Sequence, residues 1–273
     1  MYCYNGTVAS LGRCKLESNS ATDGAGLNVD SSSARLDTCR IYSGIAIGKG
    51  GGIFTEEADV DLNRCLIYWN HASVGGGCYS GENSVDSLVH VDICSNSASN
   101  TGGGVYCAAG TYLVAWKSIL WDNLPDAADS SLTPVLTKYC DIQCLPGDLW
   151  PGDSNLNCDP LFRAPTQEDF HLEVGSCCID AGDPSSASDP DGSRADVGAF
   201  YYRGGICCDA DASDGVDIDD VVYLIAYIFS GGPEPIPVAV GDVDCSGGVD
   251  IDDVVYLINY IFTGGPWPCY WCK

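Results

Sequence analysis

The chain has 273 residues, of which 38 are acidic, 12 are Lys or Arg and 17 are Cys, giving a formal charge of −26. That balance argues against nucleic acid as a partner, because no basic face exists to neutralise phosphates, and against electrostatic docking on an anionic membrane. The cysteine density suits an oxidising, extracytoplasmic setting, and the odd count leaves at least one thiol free or bonded to another chain. Met1-Tyr2-Cys3 has neither the basic start nor the apolar run of a secretory signal. The longest apolar run, Val221 to Phe229, falls far short of the roughly 20 residues that span a bilayer.

The first half is a repeat. Gly-rich marks recur at Gly24-Ala25-Gly26, Gly50-Gly51-Gly52, Gly75-Gly76-Gly77 and Gly102-Gly103-Gly104, with the last Gly of each 26, 25 and 27 residues after its predecessor. An apolar pair follows most of them: Ile53-Phe54, Cys78-Tyr79 and Val105-Tyr106. Upstream lies a second recurring piece, Cys14-Lys15-Leu16, Cys39-Arg40-Ile41, Cys65-Leu66-Ile67 and Val91-Asp92-Ile93, followed by a turn position at Asn19, Gly44, Asn70, Asn96 and Asn123. One turn of a coil cannot bury its own apolar face, whereas stacked turns bury it and pair each strand with the next rung. The expectation is a parallel β-helix with Gly and Asn at corners that need positive φ. Cys14, Cys39 and Cys65 share one rung position and are expected to pack as a buried stack, with disulfides across rungs as the alternative. The rival fold, an antiparallel sandwich, lacks hairpin Asn-Gly turns.

This rung pattern, over roughly residues 5–125, resembles the repeats of bacterial surface proteins of the polymorphic outer-membrane type and of the wider pectate-lyase-like β-helix group. The resemblance implies a right-handed parallel β-helix. Residues 126–205 break the period. The order Cys158-Asp159-Pro160-Leu161-Phe162, Phe170-His171-Leu172, Cys178 to Pro184, Asp189 to Gly192 and Arg194 to Phe200 resembles the closing segment of secreted bacterial β-helix proteins. It is expected to cover the open end of the coil. Asp189, Asp191 and Asp196 are read as turn formers, with a cation as the alternative.

The last part is a duplication. Asp209-Ala210-Asp211-Ala212-Ser213-Asp214-Gly215-Val216-Asp217-Ile218-Asp219-Asp220 recurs 33 residues on as Asp242-Val243-Asp244-Cys245-Ser246-Gly247-Gly248-Val249-Asp250-Ile251-Asp252-Asp253. Each copy runs into a Tyr-Leu-Ile helix that stops at Gly-Gly-Pro. The spacing is that of an EF-hand loop, with oxygen ligands at positions 1, 3, 5, 9 and 12 and a backbone carbonyl at 7. Two Ca2+ ions are therefore expected. The first takes Asp209, Asp211, Ser213, Gly215, Asp217 and Asp220; the second takes Asp242, Asp244, Ser246, Gly248, Asp250 and Asp253. Ser at position 5 removes one formal charge per loop, and Asp214 stands where position 6 usually holds Gly.

The duplicated segment resembles a type I dockerin over about residues 207–268. The resemblance implies calcium-dependent binding of a cohesin-like domain through Ile218, Asp219, Ile251, Asp252 and the helices beyond. Because both halves carry the same pair, either could dock. The whole reads as an all-β chain, a parallel β-helix over 1–205 including its capping segment at 126–205, followed by a small α-helical dockerin-like module over 206–273. The tail Cys269-Tyr270-Trp271-Cys272 is expected to form a disulfide clasp, with Cys207 or Cys208 closing the module at its ends, or an interchain bond.

The leading expectation for function is a non-catalytic β-helix held extracellularly, at a bacterial surface or in an assembly, through the dockerin. One alternative is a structural or adhesive protein that associates with copies of itself. The other is a polysaccharide lyase or glycoside hydrolase, for which the candidates are thin. Arg13 and Arg64 share a rung position, Glu56, Glu57, Asp59 and Asp61 form one acidic stretch, and His71, His90 and His171 do not cluster.

Overall fold

The computed structural model describes residues 1–129, 135–189, 192–202, 208–213, 215–235 and 238–266. The chain divides into two compact units, 1–202 and 203–273. Among the described residues no helix is long and apolar enough to cross a membrane.

The first unit is a parallel β-solenoid of about five turns. Sheet A stacks Tyr2–Tyr4, Leu27–Asp30, Ile53–Glu56, Cys78–Ser80, Val105–Cys107 and Ala128–Asp129. Sheet B stacks Val8–Gly12, Ser33–Asp37, Asp59–Asn63, Val85–Val89, Tyr112–Trp116 and Val135–Lys138. Sheet C stacks Lys15–Glu17, Arg40–Tyr42, Leu66–Tyr68, Asp92–Cys94, Ile119–Trp121 and Asp141–Ile142. A shorter sheet D stacks Ser20–Ala21, Ile45–Ala46, His71–Val74 and Ser97–Thr101. Pairing within these sheets is parallel, which removes the sandwich alternative. Strand alternation turns one face inward. Equivalent residues then stack up the core, as in the fully buried ladder Ile41, Ile67 and Ile93. The repeat runs further than its Gly marks suggest, since Ala128–Asp129, Val135–Lys138 and Asp141–Ile142 add a sixth strand to sheets A, B and C.

The corners bear out the expectation for the glycines, since Gly24, Gly50, Gly75 and Gly102 take φ of 62–67°, but not for the asparagines. Asn70, Asn96 and Asn123 do not take positive φ. Left-handed non-glycine residues come instead just before the C strands and just after them. Arg13, Thr38, Arg64, His90, Lys117 and Tyr139 have φ between 50° and 55°, and Ser18, Ser43, Trp69, Ser95 and Asp122 between 52° and 55°. A non-glycine residue in this region costs about 1–2 kcal/mol. Most of these corners recover a hydrogen bond to the next rung, such as Thr38 N to Asn63 O at 2.9 Å and Arg64 N to Val89 O at 3.1 Å. Glycine is required where sheet D returns to sheet A: a Cβ on Gly51 or Gly76 would strike carbonyl oxygens of the neighbouring rung.

The asparagines form a buried ladder instead. Asn96 Oδ1 accepts from Asn70 N and Nδ2, both at 3.0 Å, and Asn96 Nδ2 donates to Ile67 O at 2.9 Å. Asn123 Oδ1 does the same for Asn96 N and Nδ2 at 3.0 Å. These side chains satisfy backbone groups that the turn leaves without ladder partners. Cys39 and Cys65 are buried, Cys14 is half-buried, and all three are free thiols, so the stack packs without disulfides.

The closing region has two parts. Residues 143–157 lie at the end of the coil, where Cys144 and Trp150 pack against its core. Residues 160–202 run along the outer flank of sheet C rather than over the end. They include an antiparallel pair, Phe162–Ala164 with Asp169–Leu172. Phe170, Leu172, Cys178 and Val197 form a second core with Tyr42, Leu66, Tyr68, Cys94 and Ile119. Polar groups latch this flank: Asp92 Oδ1 accepts from Ala199 N at 2.9 Å, and His90 Nδ1 pairs with Gly198 O at 3.0 Å. Cys178 Sγ donates to Asp141 Oδ2 at 3.2 Å. Asp196 accepts from Asp180 N at 2.6 Å and from Tyr202 N, and its own N–H donates to Asp189 Oδ2 at 2.8 Å. These are turn-forming roles; Asp191 lies outside the described residues.

Cys158 and Cys177 form a disulfide that closes the flank segment, a pairing the sequence left open. Cys245 is disulfide-bonded as well. Cys208 is a buried free thiol, which removes one of the two partners expected for the tail. Cys207, Cys269 and Cys272 lie outside the described residues.

Burial pushes the Asp92 carboxyl up to about 8. Its protonated form is therefore favoured by folding, and the stability it contributes is lost as pH rises from the ordinary carboxylate range through about 8. Burial, with Lys117 and Arg64 nearby, pulls His90 down to about 4, so its contribution is lost in the opposite sense, as pH falls from about 6.5 through 4. Asp92→Asn keeps an acceptor for Ala199 N and removes the first dependence. In urea melts of the solenoid it should gain on the parent by about 2–4 kcal/mol between pH 4.5 and 8.5; parallel stability curves would refute this. Asn96→Ala should cost about 2–4 kcal/mol in the same assay, because it strands buried groups on two rungs, whereas Asn19→Ala on the exposed first rung should stay within about 0.5 kcal/mol.

Candidate functional site

The second unit is built from two copies of one element. Helix α1, Ile218–Ser230, and helix α2, Ile251–Thr263, each begin at an Asp N-cap and end at a left-handed Gly, Gly231 or Gly264. Asp217 accepts from Asp219 N, and Asp250 from Asp252 N, each at 2.8 Å. Asp220 and Asp253 complete capping boxes by accepting from the cap N–H groups of Asp217 and Asp250 at 2.8 and 2.7 Å. Four acids in the first turns also suit the positive end of the helix dipole. Val221 and Leu224 pack against Val254 and Leu257, with Ala210, Val243 and Cys208 closing the core.

Each helix start draws its acidic loop inward. Asp209, Asp211 and Asp220 each place a ligand-type oxygen within 4.8 Å of the others, and Asp242, Asp244 and Asp253 do the same. The curls match closely. Asp220 Oδ1 accepts from Asp211 N, and Asp253 Oδ1 from Asp244 N, both at 3.2 Å. Ser213 N donates to Asp209 Oδ1 at 2.9 Å and to Asp211 Oδ1 at 3.0 Å, and Ser246 N donates to Asp244 Oδ1 at 2.9 Å. Gly247, at position 6, has φ 99° and its N–H donates to Asp242 Oδ2 at 3.0 Å. Its counterpart Asp214 lies outside the described residues. Asp220 and Asp253 are fully buried. Burial pushes Asp220 up to about 6 and raises Asp253 too, against the pull of the N–H groups that donate to them.

Of the expected ligands, positions 1, 3 and 12 of each loop are thus gathered. Ser213 and Ser246 contribute backbone donors to the curl, Asp217 and Asp250 serve as helix caps, and Gly215 and Gly248 lie in the loops. Three carboxylates held this close repel one another, and a hard divalent cation reverses that sign. A third convergence, Asp141 with Cys158 and Cys177, is spent on the disulfide.

Ile218, Asp219, Ile251 and Asp252 open the two helices and are exposed. They begin outward apolar stripes that the sequence reading did not single out. On α1 the stripe is Ile218, Val222, Ile225 and Phe229, exposed by 47, 58, 40 and 64 %. On α2 it is Ile251, Val255, Ile258 and Phe262, exposed by 46, 59, 39 and 61 %. The signal was available, since a helix apolar on nearly every side carries more than the one face needed for its twin.

The catalytic candidates do not converge. Glu56 ends a strand of sheet A and Glu57 turns the left-handed corner after it, whereas Asp59 and Asp61 lie on the exposed face of sheet B, where Asp61 pairs with Arg35 at 3.1 Å. His71 pairs with Ser97 Oγ at 2.9 Å, His90 is buried in the flank latch, and His171 pairs with Asp169 at 2.6 Å. Comparison with protein families, curated proteins and solved structures finds no match to the chain.

The capping geometry carries a test of its own. Thr263→Ala removes only a hydroxyl bonded within the last turn of α2, to Asn259 O at 2.7 Å, and should leave helicity within about 0.5 kcal/mol of the parent. Asp250→Ala should cost about 1 kcal/mol in helix stability even with chelator present. Equal losses for the two variants in thermal melts followed at 222 nm would show that the cap does not hold the helix.

Proposed function

We propose that residues 206–273 are a calcium-dependent docking module of the dockerin type. In this reading it tethers a non-catalytic β-helix, outside the cell, to a cohesin-like domain. The observation that carries the reading is the twinned arrangement of the second unit. Two equivalent curls gather three carboxylates each at the start of two helices, and those helices expose matching apolar stripes.

Each curl offers side-chain oxygens at positions 1, 3 and 12. Positions 5, 7 and 9 supply the remaining hydroxyl, carbonyl and carboxylate oxygens of a six- to eight-oxygen shell. Binding of the ion relieves the repulsion among the carboxylates and fixes each loop against its helix, so metal affinity becomes folding free energy for the unit. The fixed helices then present Val222, Phe229, Val255 and Phe262 to the partner. A large apolar patch on a small unit is normally covered by a partner. Since the stripes are equivalent, either helix serves as the docking face.

Calorimetric titration of the full chain with Ca2+ should find two ions. Asp220→Ala and Asp253→Ala should each remove one, and the double variant both, together with the calcium-induced gain in helicity. No heat, and helices indifferent to chelator, would contradict the reading. Against a panel of immobilised cohesin domains, Val222→Glu and Val255→Glu should each leave affinity within a few-fold of the parent, because the other face still docks. The double variant should lose binding by at least about a hundredfold. Failure of every cohesin to bind the calcium-loaded parent would remove the docking claim while leaving the metal claim standing.

A further inference from the structure

From the cleft between sheet C and the flank segment we infer a binding site for a cationic amino sugar. The cleft holds about 310 Å³, within the range of small-ligand sites. Its apolar walls include Trp121, Phe162 and Phe170, and its carboxylates are Asp122, Asp159 and Glu173. None of the residues lining it is basic.

The walls are held by packing and their carboxylates are only partly engaged. Phe162 and Phe170 pack edge to face with centroids 5.3 Å apart, and Phe170 also packs on Tyr68 at 5.0 Å. Trp121 is half-buried: it packs against the core of the flank and also lines the cleft. The disulfide at Cys158 and Cys177 ties down the chain beside Asp159. Leu161 N donates to Asp159 Oδ1 at 2.9 Å, and Ser95 Oγ to Asp122 Oδ2 at 2.9 Å, which leaves each carboxylate a second oxygen. Among the described residues none of the three acids makes an ion pair.

Three carboxylates without an ion pair among the described residues, beside an indole that lines the cleft, select a ligand that carries positive charge and a flat, weakly polar face. The ammonium is neutralised by the acids and attracted to the indole face, and ring C–H groups lie against Trp121 while hydroxyls meet the free carboxylate oxygens. A 2-amino-2-deoxyhexose combines these features. An N-acetylated sugar lacks the charge, and a uronic acid carries the wrong sign for this lining. The site lies within the solenoid and stands or falls separately from the calcium reading.

The test is calorimetric titration of the full chain, at pH 6 and low salt, with a fully deacetylated glucosamine tetramer. Saturable binding is expected, with the N-acetylated tetramer and a galacturonate tetramer each at least about tenfold weaker. Trp121→Ala leaves the charge of the chain unchanged and should weaken binding about tenfold. Glu173→Gln, an exposed replacement whose fold is to be checked by circular dichroism, should weaken it as well. Binding unaffected by Trp121→Ala would mean general attraction to an acidic chain and would overturn the site. So would absent binding, equal binding of the N-acetylated tetramer, or equal binding of cadaverine, which carries the charge without the ring.

Discussion

In-register parallel stacking is the constraint on which the first unit depends. Every rung must place equivalent atoms one strand spacing above the last, or each backbone N–H and C=O loses its partner along the coil. The other features follow from that demand. Cys65 sits over Cys39, Ile67 over Ile41 and Leu62 over Leu36 because a shift by one residue would turn the whole set outward. Left-handed corners at Thr38 and Arg64 are tolerated because the fixed register gives them hydrogen bonds to the next rung.

That constraint explains what could be read from the amino acids. The spacing of the Gly marks and the Cys-x-apolar pieces reveals the period, because stacking repeats residue types at one position. The role of Asn70, Asn96 and Asn123 was misassigned, since Asn suits both a positive-φ corner and an amide ladder and only the preceding residue, such as Trp69 or Ser95, distinguishes them. The last rung was hidden because Asp126-Ala127 replaces the Gly mark there. The flank segment was hidden for a different reason. Phe170 against Tyr68 and Ala199 on Asp92 are contacts across about a hundred residues, with no local periodicity to announce them. The cleft at Trp121 exists only through that packing.

The second unit obeys a different rule, in which local sequence carries nearly everything. Asp220 and Asp253 each accept from a cap N–H and from a loop N–H, so one residue joins helix start to loop. Such short-range geometry is legible from spacing alone, and the duplication states it twice. The outward stripes from Ile218 to Phe229 and from Ile251 to Phe262 were less legible, because an apolar helix does not say which side meets its twin. The two units thus divide the work proposed for the chain: a coil with a cleft on its flank, and a compact unit that, in the proposed reading, binds ions to present a docking face.

The central claim is that each acidic curl wraps one calcium ion. A crystal structure of the chain grown with calcium, with anomalous scattering to identify the metal, addresses it most directly. The account predicts two ions, each with oxygen ligands at about 2.3–2.6 Å from positions 1, 3 and 12 of its loop and a shell of six to eight oxygens. Loops that keep their present carboxylate spacing with no anomalous peak between Asp209 and Asp220 or between Asp242 and Asp253, at saturating calcium, would contradict it.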